Sequence, residues 1–190
     1  MPLIKEAKSG LVELFFLDAS HFVMGGFPGR VWSVARKWVK TACGRQRSNV
    51  LGALNFVTKK VETIANTTYI TSTEVIALLE KLARDYAGKP IKVVLDNARY
   101  QRCWAVFEAA ERLKVELVFL PTYSPNLNLI ERVWKLVKSR VLSSAYHETF
   151  EIFCRMIENC IDSLHSELAP EMMTLITHNF RIVNDSDIIC

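Results

Sequence analysis

The chain has 190 residues, half of them apolar and 23% charged, which fits one globular domain with a real core and excludes a disordered or fibrous chain. No uninterrupted apolar run approaches the ~20 residues of a membrane span and the N-terminus has no signal-peptide pattern, so a cytoplasmic protein with no membrane partner is expected. Net charge is a modest +4, and five cysteines at 43, 103, 154, 160 and 190, with no C-x-x-C spacing, indicate reduced thiols rather than a zinc site or a disulfide frame.

In chain order, residues 1–10 form a short polar lead-in. Leu11 to Leu17 is a near-continuous apolar run, which predicts a strand buried on both faces, ending in Asp18. A buried carboxylate needs positive charge or hydrogen bonds to compensate it, and a simple turn or helix-cap role for Asp18 is the plainer alternative. After the turn cluster Gly25-Gly-Phe-Pro-Gly29, Arg30 to Arg36 alternates as a second strand. A basic loop over 37–48 carries Trp38, and Asn49 to Phe56 is a third strand with Val61 to Ala65 able to pair with it. Sequential strands with short connections predict an antiparallel meander. Thr71-Ser-Thr-Glu74 is a helix start, Val75, Leu78, Leu79 and Leu82 give that helix a buried face, and Gly88-Lys-Pro90 stops it. Ile91 to Leu95 is a fourth strand ending in Asp96-Asn97. A helix over 99–113 is expected to turn Trp104, Val106, Phe107 and Leu113 inward, and Val115 to Leu120 is a fifth strand.

The stretch from Pro121 to Val141 carries the most information. Pro121 and Pro125 fix φ, Ser124 suits an N-cap and Pro125 the first helical position. Leu127, Ile130, Trp134, Val137 and Val141 then recur at helical spacing, with Glu131 on the flank of that stripe near Lys135 and Lys138. An i, i+4 surface pair between Glu131 and Lys135 is the bland alternative to a site carboxylate. Helices over 148–168 and 170–178 and a polar tail, Asn184-Asp-Ser-Asp187, complete the chain. Trp32 and Trp134 suit the core better than base stacking.

The order βββαβαβα predicts a mixed sheet with helices on both faces in which the first, fourth and fifth strands are parallel neighbours. Ligands of such sheets sit at the carboxyl ends of the parallel strands, where Asp18 and Asp96 both fall. The following loop and helix bring Glu131 over the same edge. Three acids in one place repel each other, and divalent cations make the arrangement tenable. Hard oxygen ligands select Mg²⁺ or Mn²⁺, and two such ions suit in-line displacement at phosphorus. Charge is distributed to match. The 43 residues between Asp18 and Glu62 hold no acid but eight cations, Arg132, Lys135, Lys138 and Arg140 add four more, and after Ser143 eight acids face two arginines. A polyanion on the basic pole is the functional reading and a solvated basic face the alternative.

Four segments stand out together: Leu17-Asp18-Ala-Ser-His-Phe22, Gly44-Arg-Gln-Arg-Ser-Asn-Val-Leu-Gly-Ala-Leu54, Leu95-Asp-Asn-Ala-Arg-Tyr-Gln101 and Pro121-Thr-Tyr-Ser-Pro-Asn-Leu-Asn-Leu-Ile-Glu131. This set resembles the catalytic domain of DDE transposases, most closely the bacterial insertion-sequence branch of the Tc/mariner superfamily. The 34 residues between Asp96 and Glu131 match the spacing typical of that branch. The resemblance implies a ribonuclease-H-like α/β fold with a mixed five-stranded sheet, its catalytic domain over 1–145 and a helical extension of it over 146–190. It also implies metal-dependent cleavage at transposon ends and strand transfer into target DNA, usually at TA, by a homodimer in a nucleoid-associated bacterial setting. Asp18, Asp96 and Glu131 match the metal-binding catalytic triad. Asn97, Tyr123, Ser124, Pro125 and Asn126 match the motif around it. His21, Arg30, Lys37, Lys40, Arg45, Arg47, Arg132, Lys135 and Lys138 are the expected nucleic-acid contacts, with a merely packed strand-end side chain the alternative for His21. Relatives usually carry an N-terminal helix-turn-helix region, for which the position of the first strand leaves no room; a second reading frame fused by frameshifting, a truncated relic or an excised domain would account for that. A nuclease without strand transfer and an inactive DNA-binding relic are the rival readings.

Overall fold

A computed structural model of the chain describes residues 2–25, 34, 46–121, 127–143 and 146–176. The expected second strand, except Val34, the basic loop up to Arg45, the Tyr123–Asn126 turn and the polar tail lie outside the described residues.

Helix α1 (Pro2–Lys8) occupies what the sequence suggested was a polar lead-in. Its Ala7 is buried in the core, so the segment is an amphipathic cover rather than a tail. Strands β1 (Glu13–Val23), β2 (Arg47–Asn55) and β3 (Val61–Asn66) form the antiparallel meander, and β4 (Ile91–Leu95) and β5 (Val115–Phe119) add to β1 in parallel, giving the order β3-β2-β1-β4-β5. The meander was expected; among the described residues its members are β1, β2 and β3, and Arg30–Arg36 lies outside them except for Val34. At the β2–β3 turn, Asn55 Oδ1 accepts from the backbone N–H groups of Val57 and Thr58 at 2.9 and 3.0 Å.

Alternation along β1 divides the core in two. Phe15 and Leu17 face helices α2 (Ser72–Asp85) and α3 (Trp104–Leu113). Leu14, Phe16 and Phe22 face the other layer, in which α4 (Ile130–Val141) packs with α5 (Phe150–Ser163) and α6 (Ala169–Leu175). This is the mixed five-stranded sheet with helices on both faces that the element order predicts. The cap of α2 is also as expected: Thr71 is the N-cap and Glu74 closes the capping box.

Three expectations fail in detail. First, β1 does not end at Asp18 but runs on to Val23, because β2 continues to pair with it. Second, α4 begins at Ile130 with Leu129 as N-cap, not at Pro125. Third, α3 buries Val106, Ala109 and Ala110, while Trp104 and Phe107 face solvent, 80% and 41% exposed. Val106, Ala109, Ala110 and Leu113 are the set at i, i+3, i+4 and i+7, so phase and not size decides which side turns in.

Candidate active site

Asp18 sits where two ladders part. The parallel pairing of β1 with β4 ends at Phe16↔Val94, while the antiparallel pairing with β2 continues through Asp18↔Gly52. The carboxyl end of the parallel pair is therefore reached at Asp18 although the strand is not finished. Asp96 follows the last residue of β4 directly. With Val94 in the α4-side core and Leu95 in the opposite one, strand alternation puts Asp96 on the α4 side, the side of Asp18.

Gly52 explains how α4 comes close enough to contribute. A Cβ at Gly52 would lie 2.6 Å from Trp134 Cζ2 and 3.1 Å from Ile130 Cδ1. The indole, only 3% exposed, rests on bare backbone opposite Asp18 and edge-on to Phe22 at 6.3 Å. Glu131 lies one turn before Trp134 in the first turn of the helix, so the seat of the indole sets the height of its carboxylate above the sheet. Asn128, 1% exposed, ties the pieces together: its Nδ2 donates to Leu17 O at 3.0 Å and to Asp96 Oδ1 at 3.3 Å. Asn97 Nδ2 donates to Leu120 O, which fixes the end of β4 to the end of β5.

The electrostatics are those of a cluster short of positive charge. Burial, then the Asp96 charge and more weakly that of Glu131, push the Asp18 carboxyl up to about 7, against small opposing effects of the Ala19 N–H and Lys138. Glu131 is raised by burial and by Asp96, with Lys135 opposing. Burial and the charges of Asp18 and Asp96 push the Tyr100 phenol up to about 12. The three acids thus share one electrostatic field, yet among the described residues no three His, Cys, Asp or Glu side chains are gathered closely enough to enclose an ion. The donor set nevertheless suits a hard cation. Carboxylate oxygens dominate, and among the described residues the buried Asn128 Oδ1 and Ser20 Oγ have no hydrogen-bond partner.

Other expected site residues are placed unevenly. His21 is exposed, but alternation puts it on the opposite face from Asp18, and its Nδ1 lies 2.6 Å from Asn49 Oδ1. Arg47 stacks over the Tyr69 ring at 4.7 Å. Arg132 donates to Leu175 O at 3.0 Å, bridging α4 and α6. Lys135 is exposed, and the Lys138 ammonium lies 5.7 Å from the Phe22 ring, close enough to act on Asp18. Arg30, Lys37, Lys40, Arg45 and the Tyr123, Ser124, Pro125 and Asn126 turn lie outside the described residues. Sequence reasoning missed Asn128 and Tyr100. An asparagine flanked by two leucines, Leu127-Asn-Leu129, is the signal that could have revealed the first.

The family model described as DDE superfamily endonuclease matches residues 13–154. The chain belongs to this family. No curated protein matches it. Among solved structures, the Mos1 transposase paired-end complex with left transposon end superposes with a TM-score of 0.62 at 14% identity, over 95% of this chain and 60% of that one. The simian T-cell lymphotropic virus intasome in complex with a PP2A regulatory subunit gives 0.60 at 16%, over 83% and 50%. The BIV integrase catalytic core domain gives 0.53 at 17%, over 82% and 84%. The fold of this DDE-family enzyme is therefore ribonuclease-H-like, and the chain spans half to three-fifths of the length of the Mos1 and intasome chains. No helix among the described residues is long and apolar enough to cross a membrane.

Proposed function

We propose that this DDE endonuclease domain is the catalytic part of a transposase, which cleaves phosphodiesters at transposon ends and joins the freed 3′-hydroxyl to target DNA at TA sites. The observation that carries the reading is the Asp18 carboxyl, pushed up to about 7 beside Asp96 and within the field of Glu131 at the carboxyl end of the parallel strands. A protein gains nothing in stability by burying a carboxylate among like charges, and such groups mark sites completed by something else. Asp18, Asp96 and Glu131 would hold two Mg²⁺ or Mn²⁺ ions, with Asn128 Oδ1 as an additional oxygen. When bound, the ions supply activation of the attacking oxygen and stabilisation of the leaving one. The chain's own work is positional. Asn128 orients Asp96, Asn97 holds the strand end, and the Trp134 seat carries Glu131. Tyr100, a protonated phenol within the field of Asp18 and Asp96, can donate a hydrogen bond at the same edge. Lys135 and Lys138 would neutralise backbone phosphates, largely without regard to sequence.

Double-stranded DNA is the proposed partner, the active complex a homodimer on paired ends, and the setting the bacterial nucleoid. Support comes from the family match and from Mos1 structures described as a paired-end complex and a strand transfer complex. Magnesium is present in the HTLV-2 integrase core that shares the fold. The test is incubation with Mn²⁺, a pre-nicked transposon-end duplex and a TA-containing target. Joined product that disappears in Glu131→Gln supports the reading. Hydrolysis alone makes the protein a nuclease without strand transfer, and neither product nor calorimetric metal binding makes it an inactive relic.

A further inference from the structure

Helix α3 begins with Trp104 four-fifths exposed and Phe107 one turn later at 41%, on the side turned away from the core. Isolated apolar residues on a surface need no explanation, but these two are not isolated. Phe107 packs against Phe119 at the end of β5, with ring centroids 5.8 Å apart. The Arg102 guanidinium lies 5.7 Å from the same Phe119 ring, and its Nη1 donates to Asn97 Oδ1 at 3.3 Å. Asn97 follows Asp96 directly. Contacts along this aromatic ledge therefore run from Phe107 through Phe119 and Arg102 to Asn97, the neighbour of Asp96 at the carboxyl end of β4, with Trp104 one turn before Phe107 at the start of α3. At the end nearer the acids Arg99 and Arg102 are both exposed and no carboxylate occurs between Asp96 and Glu108, whereas Glu108 and Glu111 are exposed further along the same side of α3.

We infer that this ledge stacks an unpaired nucleobase of the DNA strand held at the acid edge, with Trp104 as the platform and Arg102 near the adjoining phosphate. Every base offers a π-face, so such a platform works without regard to sequence, and a guanidinium beside it adds attraction for ring and phosphate alike. A protein partner, including a second copy of this chain, would also cover exposed aromatics. Arg99 and Arg102 at the end of the ledge that adjoins Asn97, next in the chain to Asp96, favour a nucleic acid there. The inference rests on the proposed action on DNA, and it adds that the strand at the site is locally unpaired.

The test uses the full chain without added divalent metal and two duplexes with short 3′ overhangs, one carrying 2-aminopurine and one carrying abasic positions. Wild-type protein is expected to quench the 2-aminopurine and to prefer the base-bearing overhang. Trp104→Ala should abolish the quenching and weaken that binding about tenfold, and Trp104→Tyr should restore most of both. On the abasic overhang the wild type and Trp104→Ala should bind alike. Equal losses on both overhangs, or no loss on either, overturn the stacking platform. So does a shift of free Trp104→Ala to a smaller species in sedimentation, which would make the ledge a contact between copies. Protein that binds and cuts DNA but ignores the overhang base overturns only this inference. Protein that binds neither duplex overturns the action on DNA as well.

Discussion

Glu62 and Asp18 are both carboxylates drawn into the protein, and the protein treats them in opposite ways. Glu62 on β3 is 6% exposed, and it meets Lys60 Nζ at 2.7 Å, Lys81 Nζ at 2.8 Å and the Tyr86 hydroxyl, which donates to it, at 3.2 Å. Burial alone would raise it, but the hydrogen bonds and charges of Lys60 and Lys81 outweigh that and hold it below the usual carboxylate range. Asp18 on β1 has neighbours of its own sign, and its carboxyl is pushed up to about 7. The first group is complete within the chain. The second is in deficit, and deficits of this kind persist where a ligand makes up the charge.

The sharpest way to break the comparison is to neutralise each group without changing its shape. Asp18→Asn and Glu131→Gln are expected to lower metal-dependent cleavage roughly 10³-fold or more, the scale seen when one member of a catalytic unit is removed. Glu62→Gln should leave cleavage per folded molecule within about threefold, since Glu62 lies outside the cluster. A gel assay of nicked product against time separates the two, and equal losses would end the distinction.

The two groups should also give opposite slopes with pH. The Asp18 carboxyl is raised from 3.8 to about 7, so the folded state holds a proton that the unfolded chain has lost. Stability from this group is full below the unfolded value and falls as pH rises through about 7. The whole effect is on the order of a few kcal/mol. Glu62, lowered, acts in reverse: its contribution is present above 4.5 and is lost as pH falls through its folded value. Urea midpoints across pH 4–8 should decline for the wild type toward neutrality, and the decline should flatten in Asp18→Asn. Added Mg²⁺ should raise the midpoint at pH 8 in the wild type only, because a cation that binds the folded state stabilises it by mass action. An identical pH slope in Asp18→Asn would show that the wild-type slope comes from elsewhere.

Much of this contrast was legible in the sequence, and the lapses have physical causes. The apolar run before Asp18, the Asp96-Asn97 strand end and the stripe through Trp134 needed only periodicity and strand-end logic. The run stopped predicting strand at Leu17 because His21 and Val23 are exposed, yet β1 continues there as the partner of β2. In α3, aromatic size was taken for inwardness, although small alanines at the correct phase carry the packed face. Gly52 looked like any strand glycine, since nothing local announces that an indole from 82 residues further along will rest on it. The Glu62 network was equally hidden: Lys81 and Tyr86 reach it only after α2 folds back over β3.

Gly52 offers the next test. Adding a methyl group against Trp134 at 2.6 Å requires α4 to move. Gly52→Ala should cost about 1–3 kcal/mol as overpacking. It should also lower cleavage by shifting Glu131, while leaving Glu62 and its pH slope intact. Loss of stability with cleavage per folded molecule unchanged would mean that the indole seat does not set the position of Glu131.

The smallest expected effect concerns how Glu62 is completed. Lys60 and Lys81 both bond it, but the Lys60 side chain is 56% exposed and that of Lys81 31%. Water screens the Lys60 pair and can replace it, so Lys60→Ala should cost only about 0.5 kcal/mol. Lys81→Ala removes the better shielded cation and should cost about 1–2 kcal/mol, because the buried carboxylate then keeps one exposed partner. The double variant should exceed the sum of the two, since the second removal leaves Glu62 with no cation and only the Tyr86 hydroxyl among the partners described here. At that point Glu62 would resemble Asp18: a carboxyl raised by burial, with stability that declines toward neutral pH. A double-variant denaturation series with strict additivity and an unchanged pH slope would show that burial, and not the missing cation, separates the two sites.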